Sequence, residues 1–374
     1  MADIIGRSLP ERVPPTMRAV LAVEGKCVVD EAYPTPEAGP GEILIKVYAC
    51  GINRLDTMQR KGKAKPPPGV TPVLGLEVAG VVASVGPGSD AEGGWAVGER
   101  VMALVSGGGY AEFCVASTST VMRVPSSLSW AQAAGVPEAF LTAFQLLHTV
   151  GSVQRGETVL IHAGSSGVGC AAVQLAVQAG AGAVLVTVGT DEKLQLCKRL
   201  GAKGGAVRHA GPWADSLRSQ GLLPVSGLNG GVDLVLDCVG ADYVLQNLEA
   251  LNVDGRWVLF SLLSGGVLSS GSTAAAAADS SSSVAAPGPA QLLLPKLMAK
   301  RLSLTATTLR GRSAPYKASL AASFGLACLP ALNQGALEVV VHSVLPGGLD
   351  DAQKAHDLME SNASAGKIIL ALNE

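Results

Sequence analysis

The segment Gly164-Ser165-Ser166-Gly167-Val168-Gly169 stands between an apolar run, ETVLIHA, and a helix-forming stretch, CAAVQLAVQAG. A strand that turns on glycines into a helix can bring its backbone against a pyrophosphate. The phosphate charge then rests on the unsatisfied N–H groups and dipole of the helix N-terminus. A glycine loop alone also fits a tight structural turn, but this one lies inside a full strand–loop–helix–strand unit, which points to a dinucleotide. Gly164, Ser166, Gly167, Val168 and Gly169 are the expected contacts. The second strand, AVLVTV, ends at Gly189-Thr190. A site for NAD usually offers a carboxylate there to hold the ribose 2′-hydroxyl, and an acid would repel a 2′-phosphate. Gly189 occupies that place. Lys193, one turn into the next helix, and Arg208, at the end of the next strand, are cations that could pair with a phosphate. NADPH is therefore the expected cofactor. The alternative leaves Lys193 solvated and gives the acid's role to Asp191.

The elements that must position this loop follow from the order of textures along the chain. From Met17 to about Pro125, short β-branched runs (MRAVLAV, EILIKVYA, VAGVVASVG, ERVMALV) alternate with Gly and Pro clusters such as PTPEAGPG and KPPPGVTP, which reads as a barrel-like, all-β region. After Pro137, EAFLTAFQLLHTV has apolar residues at helical spacing and opens a second region. The βαβ unit follows, and helix DEKLQLCKRLG, strand GVDLVLDCVG and strand GRWVLFSL extend it into a parallel sheet with right-handed crossovers. The chain ends with helix DAQKAHDLMESN and strand GKIILALN.

At 374 residues the chain exceeds what one core usually supports, so two domains are expected. With 48% hydrophobic and 16% charged residues it can bury sizeable cores. The net charge of -2 comes without a basic stripe, which argues against nucleic acid as a partner and against a membrane surface. No apolar run is long enough to span a bilayer. The 7 cysteines are scattered without a CxxC pair and suit reduced thiols; the cytoplasm is the expected location. Residues 1–16 read as a disordered extension. The Ser/Ala/Gly tract at 263–289 reads as a low-complexity surface insertion whose removal should leave turnover intact.

Four further segments, Gly51-Ile52-Asn53-Arg54-Leu55-Asp56, Gly75-Leu76-Glu77-Val78-Ala79-Gly80, Pro137-Glu138-Ala139-Phe140-Leu141-Thr142-Ala143 and His162-Ala163-Gly164, complete a pattern covering nearly the whole chain from Met17 onward. It resembles the medium-chain dehydrogenase/reductase superfamily, and within it the zinc-free, zeta-crystallin-like quinone oxidoreductases. Thr57-Met58-Gln59-Arg60, Phe144-Gln145-Leu146-Leu147-His148 and Asp254-Gly255-Arg256-Trp257-Val258-Leu259 are most similar to the tumour-suppressor-inducible branch. The resemblance implies a GroES-like β-barrel catalytic domain at 17–137, a Rossmann NADPH-binding domain at 138–312, and a return to the catalytic domain at 313–374. It also implies a homodimer built by joining cofactor-domain sheets edge to edge.

Zinc members of that superfamily place a ligand Cys where this chain has Asn53 and a ligand His where it has Leu76, and leucine cannot bind zinc. Without a Lewis acid the acceptor must already be electrophilic, as a quinone or another conjugated carbonyl is. The resemblance puts Asn53 and Asp56 at the acceptor. There Asn53 could donate to the developing oxyanion or merely form a turn, and Asp56 could relay a proton or merely hold its neighbours. It puts Cys238, Gly240, Phe260, Ser261, Leu262, Leu309 and Lys367 around the cofactor, and makes Glu77 structural. The chain departs from the family at Gly62-Lys63-Ala64-Lys65-Pro66, where relatives often carry a tyrosine, so no such contact is carried over; Lys63 and Lys65 could instead favour an anionic acceptor. The leading expectation is an NADPH:quinone oxidoreductase. An alkenal or enoyl reductase on the same scaffold and a non-enzymatic NADPH sensor or crystallin-like protein are its alternatives.

Overall fold

The computed structural model describes residues 13–88, 94–224, 230–268 and 288–372. In chain order these form β1 (Thr16–Val23), β2 (Lys26–Pro34), β3 (Glu42–Gly51), α1 (Arg54–Arg60), β4 (Glu77–Val85), β5 (Arg100–Leu104), β6 (Phe113–Ser117), β7 (Val121–Arg123), α2 (Trp130–Ala133) and α3 (Pro137–Phe144). Then come β8 (Thr158–His162), α4 (Gly167–Gln178), β9 (Ala183–Val188), α5 (Asp191–Arg199), β10 (Gly204–Val207), α6 (Trp213–Ser219), β11 (Val232–Asp237), α7 (Val244–Ala250) and β12 (Leu251–Leu259). The chain closes with α8 (Pro289–Lys300), β13 (Ser303–Ala306), α9 (Ala314–Asn333), β14 (Val341–Leu345), α10 (Ala352–Glu360) and β15 (Lys367–Ala371).

Two compact units result: Met1–Thr142 with Leu309–Glu374, and Ala143–Thr308. The division falls inside α3, which runs on as a π-helical turn at Gln145–Val150. The N-terminal extension and the Ser/Ala tract lie largely outside the described residues.

The first unit holds a seven-stranded sheet ordered β14-β15-β3-β4-β5-β7, with β6 also on β3, and a β1–β2 hairpin. The hairpin turns on Glu24 (φ 46°) and Gly25 (φ 77°); two successive positive φ values give the primed turn whose twist matches antiparallel strands. Register shifts between Leu44 and Ile45 and between Val47 and Ala49 bend β3 around a core of Ile43, Ile45, Val47, Val78, Val82 and Ile368. The return of the C-terminal residues to this unit is made by β15, antiparallel to β3 with Leu370 opposite Cys50.

The second unit is a six-stranded, all-parallel sheet ordered β10-β9-β8-β11-β12-β13. Helices on both faces explain why β8 and β9 are apolar along nearly their whole length rather than alternating. The strand order reverses direction between β8 and β11. In such doubly wound sheets the carboxyl ends at that point leave a crevice for a ligand. The loops that leave β8 and β11 are the glycine loop and Asp237–Gly240. One face is closed by large side chains, among them Leu185, Trp213, Leu217, Val235 and Trp257. All 7 cysteines are free thiols, and only Cys27 is not buried. Among the described residues no helix is long and apolar enough to cross a membrane.

Candidate functional site

In the second unit, the chain leaves β8 at His162, passes Ala163 at φ 52°, and enters α4 with Ser166 as its N-cap. Ser166 Oγ accepts from Gly169 N at 3.0 Å, which aligns the first turn. The glycines are sterically required. A Cβ on Gly164 would lie 2.6 Å from Val186 Cγ1, and one on Gly169 would lie 2.6 Å from the Gly164 carbonyl carbon. The backbone therefore folds onto its own strand and leaves the N–H groups of a 12-residue helix at the crevice. This is the cradle a pyrophosphate needs.

Thr190 caps α5 by accepting from Lys193 N at 3.4 Å. Beside it, burial holds the Lys193 ammonium below its ordinary pKa and the Arg208 charge lowers it further. The fold thus brings together two cations that the sequence separates by a helix and a strand. Arg208 Nε donates to His209 Nε2 at 3.1 Å. Nothing crowds Gly189: a Cβ there would meet only Lys193 Cδ, at 4.0 Å. The acids of this corner, Asp191 and Glu192, lie in the first turn of α5, where the Thr190 hydroxyl hydrogen-bonds the Glu192 carboxylate and holds its pKa down.

At the end of β11 the Asp237 carboxylate is fully buried and organises the opposite lip of the crevice. Its Oδ1 accepts from Val239 N (2.6 Å) and Gly240 N (3.2 Å); its Oδ2 accepts from Asn247 Nδ2 (3.0 Å) and Trp257 Nε1 (3.1 Å). Because Asn247 gives its amide N–H to Asp237, its Oδ1 must accept from His162 Nε2, 2.8 Å away. His162 Nδ1 then accepts from the Thr187 hydroxyl at 3.0 Å. One chain of donors therefore joins β9, β8, α7 and β11, with His162 packed between Trp213 and Tyr243 at centroid distances of 5.2 and 4.7 Å. Burial lowers the His162 pKa, in keeping with the neutral tautomer this chain demands. Sequence reasoning missed Asn247 altogether; the only signal was a histidine ending an otherwise apolar strand.

Backbone bonds tie the Asp237 loop to the next one: Phe260 N donates to Asp237 O (2.8 Å), Leu263 N to Cys238 O (3.0 Å) and Ser264 N to Val239 O (2.9 Å). Cys238, Gly240, Phe260, Ser261 and Leu262 are thereby gathered into one wall. Gly240, at φ 89°, lies against Leu262; a Cβ would approach Leu262 Cδ2 to 2.8 Å.

In the first unit, Lys367 and Glu77 meet where β15, β3 and β4 adjoin. Lys367 Nζ donates to Glu77 Oε1 (2.6 Å), Asn53 Oδ1 (2.8 Å) and the Ile52 carbonyl (2.9 Å), which takes all three of its protons. Asn53 Nδ2 donates to the same Glu77 oxygen at 2.9 Å. Gly51 is small because a Cβ there would fall on Glu77 Oε1. Asn53, read as a donor to the acceptor oxygen or as a turn former, has its amide engaged on both sides. Lys367, expected at a cofactor, directs its ammonium inward as the counter-ion of Glu77.

Two family models match the chain, the alcohol dehydrogenase GroES-like domain at 39–142 and the zinc-binding dehydrogenase at 167–323. A quinone oxidoreductase of Sus scrofa is 30% identical over 346 residues, covering 92% of each chain. A mycobacterial protein solved with NADPH is 32% identical at a TM-score of 0.75, covering 95% of this chain and 100% of its own. The CurK enoyl reductase is 25% identical at a TM-score of 0.74, covering 96% of this chain and 99% of its own. The chain is a medium-chain dehydrogenase/reductase. It belongs to the zinc-free, quinone oxidoreductase-like branch, as the motifs implied.

In this medium-chain oxidoreductase the positions that would carry zinc ligands are put to other use. Leu76 is core, Asn53 serves Glu77 and Lys367, and among the described residues no cluster of His, Cys, Asp or Glu could hold a metal. Asp56, the other expected acceptor residue, caps the start of α1: its Oδ2 accepts from Asn53 N at 2.8 Å and from Tyr110 OH at 2.9 Å. Burial pushes its carboxyl up to about 6 against those two hydrogen bonds. Behind Tyr110 stand His356 Nε2 at 3.3 Å and then Cys27, whose Sγ is 3.5 Å from His356 Nδ1. Leu309 is buried in this first unit. Next to it Arg310 Nε donates to Ser106 O (2.8 Å), and Lys317 Nζ donates to Ser106 Oγ (2.9 Å) and Arg310 O (2.7 Å). Neither cation was singled out from the sequence for its charge.

Proposed function

We propose that this oxidoreductase uses NADPH to reduce a quinone. The observation that carries the cofactor choice is the Lys193–Arg208 pair, in the first turn of α5 and just past β10, with a glycine and no acid at position 189. Two adjacent like charges are relieved by an anion, and a ribose 2′-phosphate is one.

NADPH, when bound, supplies the hydride. The chain supplies binding and orientation. Gly164, Ser166, Gly167, Val168 and Gly169 take the pyrophosphate, while Gly189, Thr190, Lys193 and Arg208 take the phosphorylated ribose. Cys238, Gly240, Phe260, Ser261 and Leu262 wall the nicotinamide side, and Leu309 and Lys367 are the residues of the first unit that the family resemblance assigns to the cofactor. Asn53 and Asp56 belong to the acceptor region, where the Glu77–Lys367 pair fixes Asn53. The acceptor in this reading is a conjugated carbonyl, already electrophilic, which suits a chain with Asn53 and Leu76 where zinc relatives carry ligands. A second reading, an enoyl or alkenal reductase, is favoured by the likeness to the CurK enzyme. We place the enzyme in the cytoplasm, for which its free thiols are suited, and as a homodimer. The dimer would join through β13, an edge strand whose residues are all exposed and which follows α8, whose Met298 and Leu294 are also exposed.

The experiment is NADPH oxidation with a small quinone and with an enal of matched size, run with NADH alongside. Quinone turnover that prefers NADPH is expected. Turnover on the enal alone moves the assignment to the second reading, and NADPH binding without oxidation by either would leave a cofactor-binding protein.

A further inference from the structure

A conjugated carbonyl that accepts a hydride also needs a proton on its oxygen, and the carboxyls of the first unit differ in their fitness to give one. Glu77 is wholly buried and its charge is matched by Lys367 at 2.6 Å. Asp56 is 1% exposed, with one oxygen taken by Asn53 N and Tyr110 OH. Glu138 is different. It opens α3, its backbone N–H donates to Glu77 Oε2 at 2.8 Å, and the residue as a whole is only partly buried. Among the described residues the one hydrogen bond to that carboxyl comes from Thr142 Oγ1, at a long 3.4 Å.

The charges facing Glu138 divide into two groups. Glu77 and Asp56 oppose its ionisation, while Lys367 favours it. Arg310 and Lys317 face it across the same unit, near enough for their charges to interact with it. Arg310 is 8% exposed, and its Nη2 is buried without a hydrogen-bond partner among the described residues. A carboxyl held loosely, beside a fixed carboxylate and opposite two cations, is built to be neutral before a reaction and tolerated as an anion after it.

We propose that Glu138 is the proton donor of the reaction, with Arg310 and Lys317 stabilising the charge that develops on the acceptor oxygen. This rests on the oxidoreductase reading above. The acceptor gains a hydride, that is two electrons and one proton, from reduced nicotinamide; its carbonyl π pair moves onto oxygen; the Glu138 O–H bond breaks and its proton goes to that oxygen. The Glu138 carboxylate is then reprotonated from water. Burial and the Glu77 charge raise the Glu138 carboxyl to about 8, so the donor form predominates at neutral pH and is lost above it.

The test is Glu138→Gln, which keeps the shape and the neutral charge, with Glu138→Asp as its companion. The Gln variant should bind NADPH as wild type does, by fluorescence titration, yet turn over about 100-fold more slowly or worse. Wild-type kcat should fall through an alkaline limb near pH 8, and the Gln variant should lack that limb. The Asp variant should regain part of the rate and of the limb. In the protein without cofactor, the infrared difference spectrum of wild type against the Gln variant should show a carboxylic C=O band that titrates near pH 8. Wild-type turnover that persists in Glu138→Gln within about threefold, with the limb unchanged, overturns the Glu138 role alone. If wild type fails to oxidise NADPH with every quinone and enal offered, the oxidoreductase reading falls and this role falls with it.

Discussion

Lys367 Nζ lies 2.6 Å from Glu77 Oε1, and the two side chains are 5% and 0% exposed. Charges so buried are held by mutual attraction and by full hydrogen bonding, and removing one leaves the other stranded. Lys367→Met should therefore destabilise the protein by about 3–5 kcal/mol in urea unfolding. Adding Glu77→Gln should recover much of that loss, because Gln can still accept from Asn53 without carrying charge. A single variant as stable as wild type would mean that water reaches Glu77.

Lys193 and Arg208 converge from different elements, so each alone should matter for an anionic ligand. Lys193→Ala and Arg208→Ala should each raise the KM for NADPH by about tenfold, the scale of a charge-assisted hydrogen bond to phosphate. NADH should be nearly unaffected. Equal effects on both cofactors would return the pair to an ordinary solvated surface and leave Asp191 as the ribose contact.

Much of the architecture was legible because glycine loops and apolar strands are local signals. The ETVLIHA–GSSGVG–helix unit and GKIILALN stand where the sequence put them. The 20-residue α9 was not read, although its buried residues Leu320, Ala321, Phe324, Cys328 and Leu332 are helically spaced. Its outer face is also apolar, with Leu326 84% exposed, so no polar contrast marks the period, and Pro330 argues locally against a helix. At the site, motif positions were recoverable but side-chain partners were not. Nothing near Asn53 in sequence reveals Lys367, which is 314 residues away and reaches it only through the β3–β15 pairing.

His162 offers the clearest separation of scaffold from cofactor chemistry. Replacing it with Phe keeps the ring between Trp213 and Tyr243 but leaves the Asn247 carbonyl unpaired, while Thr187 keeps its hydrogen bond to Tyr243. The orphaned carbonyl costs about 1–3 kcal/mol, which urea unfolding would read. The Asp237 loop should loosen with Asn247, so the NADPH dissociation constant should rise severalfold. Unaltered NADPH affinity in a destabilised variant would show that the network supports the sheet and does not reach the cofactor.

Asp56 and His356, joined through Tyr110, should pull stability in opposite directions over the same pH range. The Asp56 carboxyl is raised from 3.8 to about 6 by burial, so between those values the folded protein holds a proton that the unfolded chain has lost. Stability from this group falls as pH rises from about 4 to 6, by up to roughly 1.4 kcal/mol per unit. The His356 imidazole is lowered from 6.5 to about 4, by burial first and then by the nearby Arg60 charge. Between those values the unfolded chain binds the extra proton, and stability from His356 rises with pH. The two slopes oppose one another in wild type. Relative to it, His356→Gln should lose stability as pH rises from about 4 to 6, and Asp56→Asn should gain it over the same range, both read by urea unfolding at a series of pH values. Parallel curves for wild type and both variants would mean that neither group changes its proton affinity on folding, and that the Asp56–Tyr110–His356 chain is held by packing rather than by a fixed protonation state.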